Sequence, residues 1–247
     1  MKAALGELAR GLSEVVFLPI CVHCRELVES GGAFQHLCER CVQQLEFVRA
    51  PHCSSCGHPY YGEVAAETER MRPHCEGLAP AFREGRTAVL FKGPARALVL
   101  ELKYHRGLHV LSDLEEIFRR ATSLLDYVRS AVLVPVPLHP RKQRHRGYNQ
   151  TELVAECLAK AAGGNTRIER VLRRTIDTAT QTAFDRRTRQ ANLKNAFALS
   201  PTARLNPAQH YILVDDVFTT GSTLNSCALV LRRAGCLNLD VATFGHG

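Results

Sequence analysis

The sequence predicts an open α/β fold: a mostly parallel sheet with helices on both faces, preceded by a small cysteine-rich module. Three observations carry that prediction. From about residue 86 onward, short apolar runs of strand length alternate with longer segments of helical periodicity, the pattern of a parallel sheet built through crossover helices. Ahead of them, cysteines recur at CxxC spacing, as Cys21–Cys24, Cys38–Cys41 and Cys53–Cys56, with Cys75 following. Near the C-terminus, "YILVDDVFTTGST" (211–223) runs from apolar residues through two adjacent acids into small, mostly hydroxylated residues. That order suits a strand passing through a tight loop into a helix.

The chain has 247 residues, 45% of them apolar, enough for a real core in one large domain or a domain plus a small module. No apolar stretch approaches the roughly 20 residues that span a bilayer. The opening segment "MKAALGELARGLSEVVFLPI" carries Glu7, Arg10 and Glu14, which interrupt any signal-peptide core. Its spacing of Leu5, Leu8, Leu12, Val15 and Val16 predicts a short amphipathic helix instead, and a cytoplasmic protein is expected. The formal charge of +8 is unevenly placed: residues 1–80 balance to −3 and residues 81–247 to +11. With the Gly- and Pro-rich stretch 57–80, this places a boundary between a module at 1–80 and a domain at 81–247. A basic field of that size favours phosphorylated small molecules or nucleic acid without choosing between them.

Two CxxC pairs let four thiolates converge on one tetrahedral ion, and the 13 residues between Cys24 and Cys38 are enough for a short knuckle. Cys21, Cys24, Cys38 and Cys41 are therefore expected to hold structural zinc. Disulfides, buried thiols and a redox dithiol are the weaker readings. Cys53, Cys56 and Cys75 are a second set lacking a fourth cysteine, because position 78 is leucine. His52, His58 or His74 supplies the missing ligand on one reading; on the other the second knuckle is metal-free. A closed four-ligand site leaves no position for water, so its role would be to fold a polar segment.

Element by element, "RTAVLF" (86–91) reads as a strand closed by "KGP", with helices over "ARALVLELKYH" (95–105) and "LSDLEEIFRRATSLLDYV" (111–128). "SAVLVPVP" (130–137) is a buried strand, followed by a basic loop (138–150) and a helix over "TELVAECLAKAA" (151–162). "TRIERVLRR" (166–174) is a further strand. "HYILVDD" (210–216) is the clearest strand, "STLNSCALVLRRAG" (222–235) the clearest helix with Gly235 closing it, and "NLDVATFG" (238–245) the last strand.

In such sheets ligands sit beyond the carboxyl ends of the strands, where Asp215 and Asp216 are expected. Free N–H groups at the N-terminus of a helix starting near Ser222 suit a phosphate. Gly221 lets the backbone approach, and Thr219, Thr220, Ser222 and Thr223 add hydroxyls. Two carboxylates repel phosphate but suit vicinal hydroxyls or Mg²⁺. Together they describe a sugar phosphate. An ATPase acid is the poorer alternative, since the chain has no GxxxxGK[ST] loop, and a plain solvated turn explains neither the doubled acid nor the hydroxyls. Arg141, Lys142, Arg144 and Arg146 put four cations in six residues, suiting pyrophosphate, solvent or nucleic acid. Lys103 and Tyr104 stay open between structural and functional roles. Aromatics for base stacking are few, with no tryptophan.

"VDDVFTTGST" resembles the ribose-5-phosphate signature of type I phosphoribosyltransferases, which bind phosphoribosyl pyrophosphate (PRPP). Together with "LPICVHC", "LKYHRG", "VPVPLHPRKQRHRGYNQ", Thr180-Gln181 and "RQANLKNAF", it makes most of the chain similar to the ComF family, which joins an N-terminal cysteine knuckle to a phosphoribosyltransferase domain. The resemblance implies a type I phosphoribosyltransferase fold behind a double-zinc-ribbon-like module. It implies catalytic roles for Asp215, Asp216, Arg146 and Arg189, with ribose hydroxyls on the two acids and Mg²⁺ beside Asp215. Thr219, Thr220, Gly221, Ser222 and Thr223 would hold the 5′-phosphate. Arg141, Arg144, Arg146, Gly147, Asn149 and Gln150 would form the pyrophosphate loop, and Arg186, Arg187 and Arg189 a segment closing over it.

The implied cofactors are structural Zn²⁺ and PRPP-borne Mg²⁺. The implied partners are PRPP, single-stranded DNA and a competence helicase, and the implied role is DNA uptake in natural competence or nucleotide-related metabolism. Transfer would displace pyrophosphate from ribose C1 by a nitrogen nucleophile, though no short segment reads as a purine, pyrimidine or orotate pocket. The competing class is a non-enzymatic single-stranded-DNA-binding factor. Leu78, where the family often has its last cysteine, is the clear departure.

Overall fold

The computed structural model describes residues 19–60, 75, 77–176 and 196–247. The expected N-terminal helix lies outside them. Among the described residues, one helical turn, α1 (Glu39–Val42), precedes the sheet. The main body then follows as β1 (Gly85–Leu90), α2 (Gly93–Tyr104), α3 (Leu111–Arg120), α4 (Thr122–Val128), β2 (Val132–Pro135), α5 (Pro140–Arg146), α6 (Gln150–Ala162), β3 (Arg167–Ile168), β4 (Leu172–Arg174), β5 (Phe197–Leu199), β6 (Tyr211–Phe218), α7 (Ser222–Arg233) and β7 (Leu239–His246).

Five strands form one sheet in the order β1-β7-β6-β2-β3, every pair parallel. The predicted parallel α/β architecture is therefore what the chain adopts. Successive side chains of a strand point to opposite faces, and the core divides accordingly. Ile212, Val214, Leu133, Ala242 and Phe244 face α2, α3, α4 and α6. Tyr211, Leu213, Val134 and Val241 face α7. On the first face Phe118 and Phe244 meet edge to face with centroids 5.6 Å apart, both fully buried, each contributing about 1.5–3 kcal/mol by burial.

The cysteine-rich segment is built into this body. Val48 N donates to Ala88 O at 2.9 Å and Leu90 N to Glu46 O at 2.9 Å, so residues 46–48 cover the outer edge of β1. Gly85 N donates to Ser54 O at 2.7 Å. A methyl group on Gly85 would lie 2.6 Å from Ser55 O, so only glycine lets the Cys53–Cys56 turn sit against β1. On the other side, the buried Asp113 carboxylate in the first turn of α3 accepts the backbone N–H groups of Gln35 and His36 at 2.9 and 3.0 Å.

Three local expectations differ from the structure. The basic stretch 138–150 contains a helix, because Pro140 at its first turn pre-sets φ and His139 accepts the Arg141 N–H at 3.3 Å. That helix ends at Gly147, whose φ of 92° is left-handed. Residues 111–128 form two helices broken at Ala121, whose ψ of 61° leaves the helical region. Within 166–174, β3 joins the main sheet and β4 pairs antiparallel with β5 instead.

Candidate functional site

The acid pair sits inside the last half of β6, and strand alternation sends its two carboxylates to opposite faces. Asp215 lies on the α7 side. There it lines a small open hollow together with Phe218, Thr219, Thr220, Gly221 and Ser222. Gly221, with φ of 70°, is the N-cap of α7, so the first amides of a 12-residue helix open into this hollow. Thr220 Oγ1 and Ser222 Oγ are 3.0 Å apart. Burial, and next the charge of Asp216, push the Asp215 carboxyl up to about 7, with Lys103 opposing.

Asp216 faces α2 and α6 and is only 4% exposed. Both of its oxygens are engaged: Lys103 Nζ donates to Oδ1 at 2.8 Å and Gln150 Nε2 to Oδ2 at 3.1 Å. Burial disfavours the Lys103 charge, but the two carboxylates outweigh it and raise its pKa. Gln150 Oε1 accepts from Arg146, whose guanidinium lies over the Tyr104 ring at 5.9 Å. "LKYHRG" and "RGYNQ" thus meet on one carboxylate, and Tyr148 adds a hydroxyl bond to Leu102 O.

The predicted pyrophosphate-loop residues divide into two groups. Asn149 is buried: its Nδ2 donates to Val136 O at 3.1 Å and its Oδ1 accepts Thr151 N at 3.3 Å, capping α6 and tying it to the end of β2. Gln150 is held by Asp216. Arg141 and Arg144 are exposed on α5. Since β2 pairs directly with β6, α5 starts beside the strand end that carries the acids. Arg186, Arg187 and Arg189, like Thr180 and Gln181, lie outside the described residues.

The four N-terminal thiols converge, with all four Sγ atoms within 4.8 Å of one another and Cys24 and Cys38 3.5 Å apart. Sulfurs about 2.3 Å from a tetrahedral zinc would be about 3.8 Å apart, so the set fits that ion. The backbone N–H of Glu26 leads the effects that hold the Cys24 thiol down to about 7, while burial raises Cys38 and Cys41. Three of these cysteines belong to the same apolar cluster as Leu98 and Phe118, which makes the centre part of the core. Cys53, Cys56 and Cys75 also converge, with Cys53 and Cys75 Sγ 3.7 Å apart, but no fourth ligand joins them among the described residues. The second set offers three-quarters of a zinc shell.

Sequence reasoning left Lys103 undecided and missed Asn225. The Asn225 side chain in the first turn of α7 bonds Ala79 O at 3.1 Å and Ala81 N at 2.6 Å, linking positions some 145 residues apart. Neither has a local signal, since a lysine ending a helix and an asparagine within one are both ordinary.

Among the described residues, no helix is long and apolar enough to cross a membrane. Residues 12–82 match the double zinc ribbon domain, in agreement with the two cysteine clusters. The chain is 32% identical over 231 residues to the "DNA utilization protein YhgH" of Salmonella typhimurium, covering 90% of this chain and 94% of that protein. It is 27% identical over 230 residues to the "Competence protein F" of Haemophilus influenzae, covering 90% and 94%. To the "Competence protein ComFC" of Bacillus subtilis it is 23% identical over 207 residues, covering 81% and 80%. With these relatives, a zinc-ribbon match where four thiols converge, and a parallel α/β body behind it, the chain belongs to the ComF family.

Proposed function

We propose that this protein binds PRPP with Mg²⁺ at the end of β6 and acts in DNA uptake or nucleotide-related metabolism. The observation that supports this most is the shared hollow: one carboxylate, Asp215, and the amide- and hydroxyl-rich turn 219–223 line the same small space. The first turn of α7 takes the 5′-phosphate, where N–H groups and the helix dipole favour negative charge. Asp215 takes the ribose hydroxyls. Asp216 acts one step back, holding Lys103 and Gln150 and, through Gln150, orienting Arg146. The exposed cations of α5 face the pyrophosphate. Mg²⁺ would arrive on the pyrophosphate and use Asp215 as its carboxylate ligand, in keeping with an ion bound through one or two carboxylates and substrate phosphates. If group transfer follows, the bond from ribose C1 to pyrophosphate breaks, the pyrophosphate keeps the electron pair, and a nitrogen nucleophile bonds to C1. Oriented cations stabilise that departing charge.

The role in DNA uptake is supported by the relatives, which are competence and DNA utilization proteins. A second reading, single-stranded DNA binding by the basic domain, is favoured by Arg141 and Arg144 exposed on α5 and by the +11 balance of residues 81–247. Structural zinc in Cys21, Cys24, Cys38 and Cys41 serves either reading by fixing the ribbon to the core. Calorimetry with PRPP–Mg²⁺ tests the first: Asp215→Asn removes binding and leaves zinc content unchanged, whereas undiminished affinity refutes the site.

A further inference from the structure

The second cysteine knuckle keeps its backbone shape where it loses its fourth thiol. Leu78 N donates to Cys75 O at 2.9 Å, and Gly77 turns with φ of 71°. The same bond closes the complete pair of the first knuckle, where Cys41 N donates to Cys38 O at 2.9 Å. The side chain at position 78 goes elsewhere. Leu78 is 3% exposed, and a methyl group placed on Gly221 would lie 2.8 Å from its Cδ2. Phe218 Cζ would lie 2.6 Å from the same methyl, so Leu78 and Phe218 together fill the space behind the left-handed residue that starts α7.

Two further connections tie knuckle and loop. Phe218 stacks on His246 with centroids 5.2 Å apart, and His246 meets the knuckle's His58 edge-on at 4.7 Å. The strand of chain leaving Leu78 is fastened along α7 by Asn225 in the first turn and by Arg232 Nη1, which donates to Ala81 O at 3.2 Å in the last. Among the described residues, the first knuckle packs on α3 at the opposite face of the sheet instead.

We propose that the second knuckle is a strut for the 219–223 loop, and that Leu78, standing where a fourth thiolate would complete the knuckle, is a positioning residue for the phosphate that the loop takes. The inference rests on the phosphate reading of that loop. Gly221 reaches its left-handed backbone because it has no Cβ, and Leu78 and Phe218 occupy the space that a Cβ would need. Leu78 fills it from the ribbon, so displacement of the knuckle is transmitted to the amides of the first turn of α7.

The test uses the full chain and two probes, ribose 5-phosphate and inorganic pyrophosphate, titrated by calorimetry. Leu78→Ala weakens ribose 5-phosphate by about tenfold to a hundredfold, the cost of a small misplacement of binding groups, and leaves pyrophosphate affinity unchanged. Leu78→Met restores ribose 5-phosphate binding, and Asn225→Ala, which loosens the strap without touching the knuckle, reproduces the selective loss. Equal ribose 5-phosphate affinity in wild type and Leu78→Ala overturns the strut and leaves the phosphate loop intact. Parallel loss of both probes also overturns it, since that marks general destabilisation. Wild-type protein that fails to bind ribose 5-phosphate overturns the loop assignment and the strut together.

Discussion

Lys103 Nζ lies 2.8 Å from Asp216 Oδ1, and that ion pair separates the roles of two acids that the sequence places side by side. Asp216 is committed to α2 and α6, while Asp215 faces the loop. The Lys103 and Asp216 side chains are 22% and 6% exposed, so neither charge is well solvated without the other. Lys103→Met leaves Asp216 buried and uncompensated and costs about 3–5 kcal/mol of stability by chemical denaturation. Asp216→Asn in the Lys103→Met background recovers part of that loss, and the double-mutant cycle returns a coupling well above the few tenths of a kcal/mol of independent sites. Additive effects would show that the pair is incidental.

Asp215 sets a pH dependence of the opposite sense to an ordinary salt-bridged acid. Its folded-state pKa is raised from 3.8 to about 7, so between those values the folded protein holds a proton that the unfolded chain has released. Stability therefore falls as pH rises through that window and levels off above it. A divalent cation bound at Asp215 displaces that proton. PRPP–Mg²⁺ affinity is accordingly expected to rise between pH 6 and pH 8. Asp215→Asn flattens the stability profile over the same range, and denaturation midpoints measured at pH 5 and pH 8 on both proteins check this. A wild-type profile that rises with pH there contradicts the protonated state.

Strand alternation explains how much of this was legible in the sequence. "HYILVDD" announced a buried parallel strand because its apolar run is continuous, and the small-residue loop after it announced a helix start. Period-two geometry also dictates that adjacent acids part company, yet which face each would find depended on α2 and α6 arriving from more than 60 residues away. Leu78 was visible as a missing cysteine but not as the support of Gly221, because that contact spans 143 positions and depends on how the ribbon docks. The basic stretch 138–150 reads as a loop on its charge, although Pro140 and Gly147 within it are helix-boundary residues.

The two knuckles should respond differently to loss or gain of a thiol. Cys38→Ser breaks a complete four-thiol shell whose members pack with Leu98 and Phe118. It releases the zinc and lowers the unfolding midpoint of the whole body, because the binding energy of a structural zinc is folding energy. Cys53→Ser, in a three-thiol set, removes less stability than Cys38→Ser. Leu78→Cys supplies a fourth thiol and slows zinc release from the second knuckle under chelator. Zinc content by elemental analysis, with release kinetics, checks each variant; unchanged release from Leu78→Cys would show that position 78 cannot reach the ion.

Contact with single-stranded DNA, if made through α5, has a measurable electrostatic signature. Each phosphate neutralised on a single strand contributes about −0.7 to the slope of log K against log salt. Arg141 and Arg144 are exposed, whereas Arg146 is occupied by Gln150 and stacked over Tyr104. Arg141→Gln with Arg144→Gln should therefore shallow the slope by about 1.4 and weaken binding alike on every sequence tested. Arg146→Gln should instead disturb the Asp216 network and lower ligand affinity at the β6 end more than it changes the salt slope. Fluorescence anisotropy with a labelled oligonucleotide across a salt series separates the two. An unchanged slope in the double variant would move the DNA-binding surface off α5.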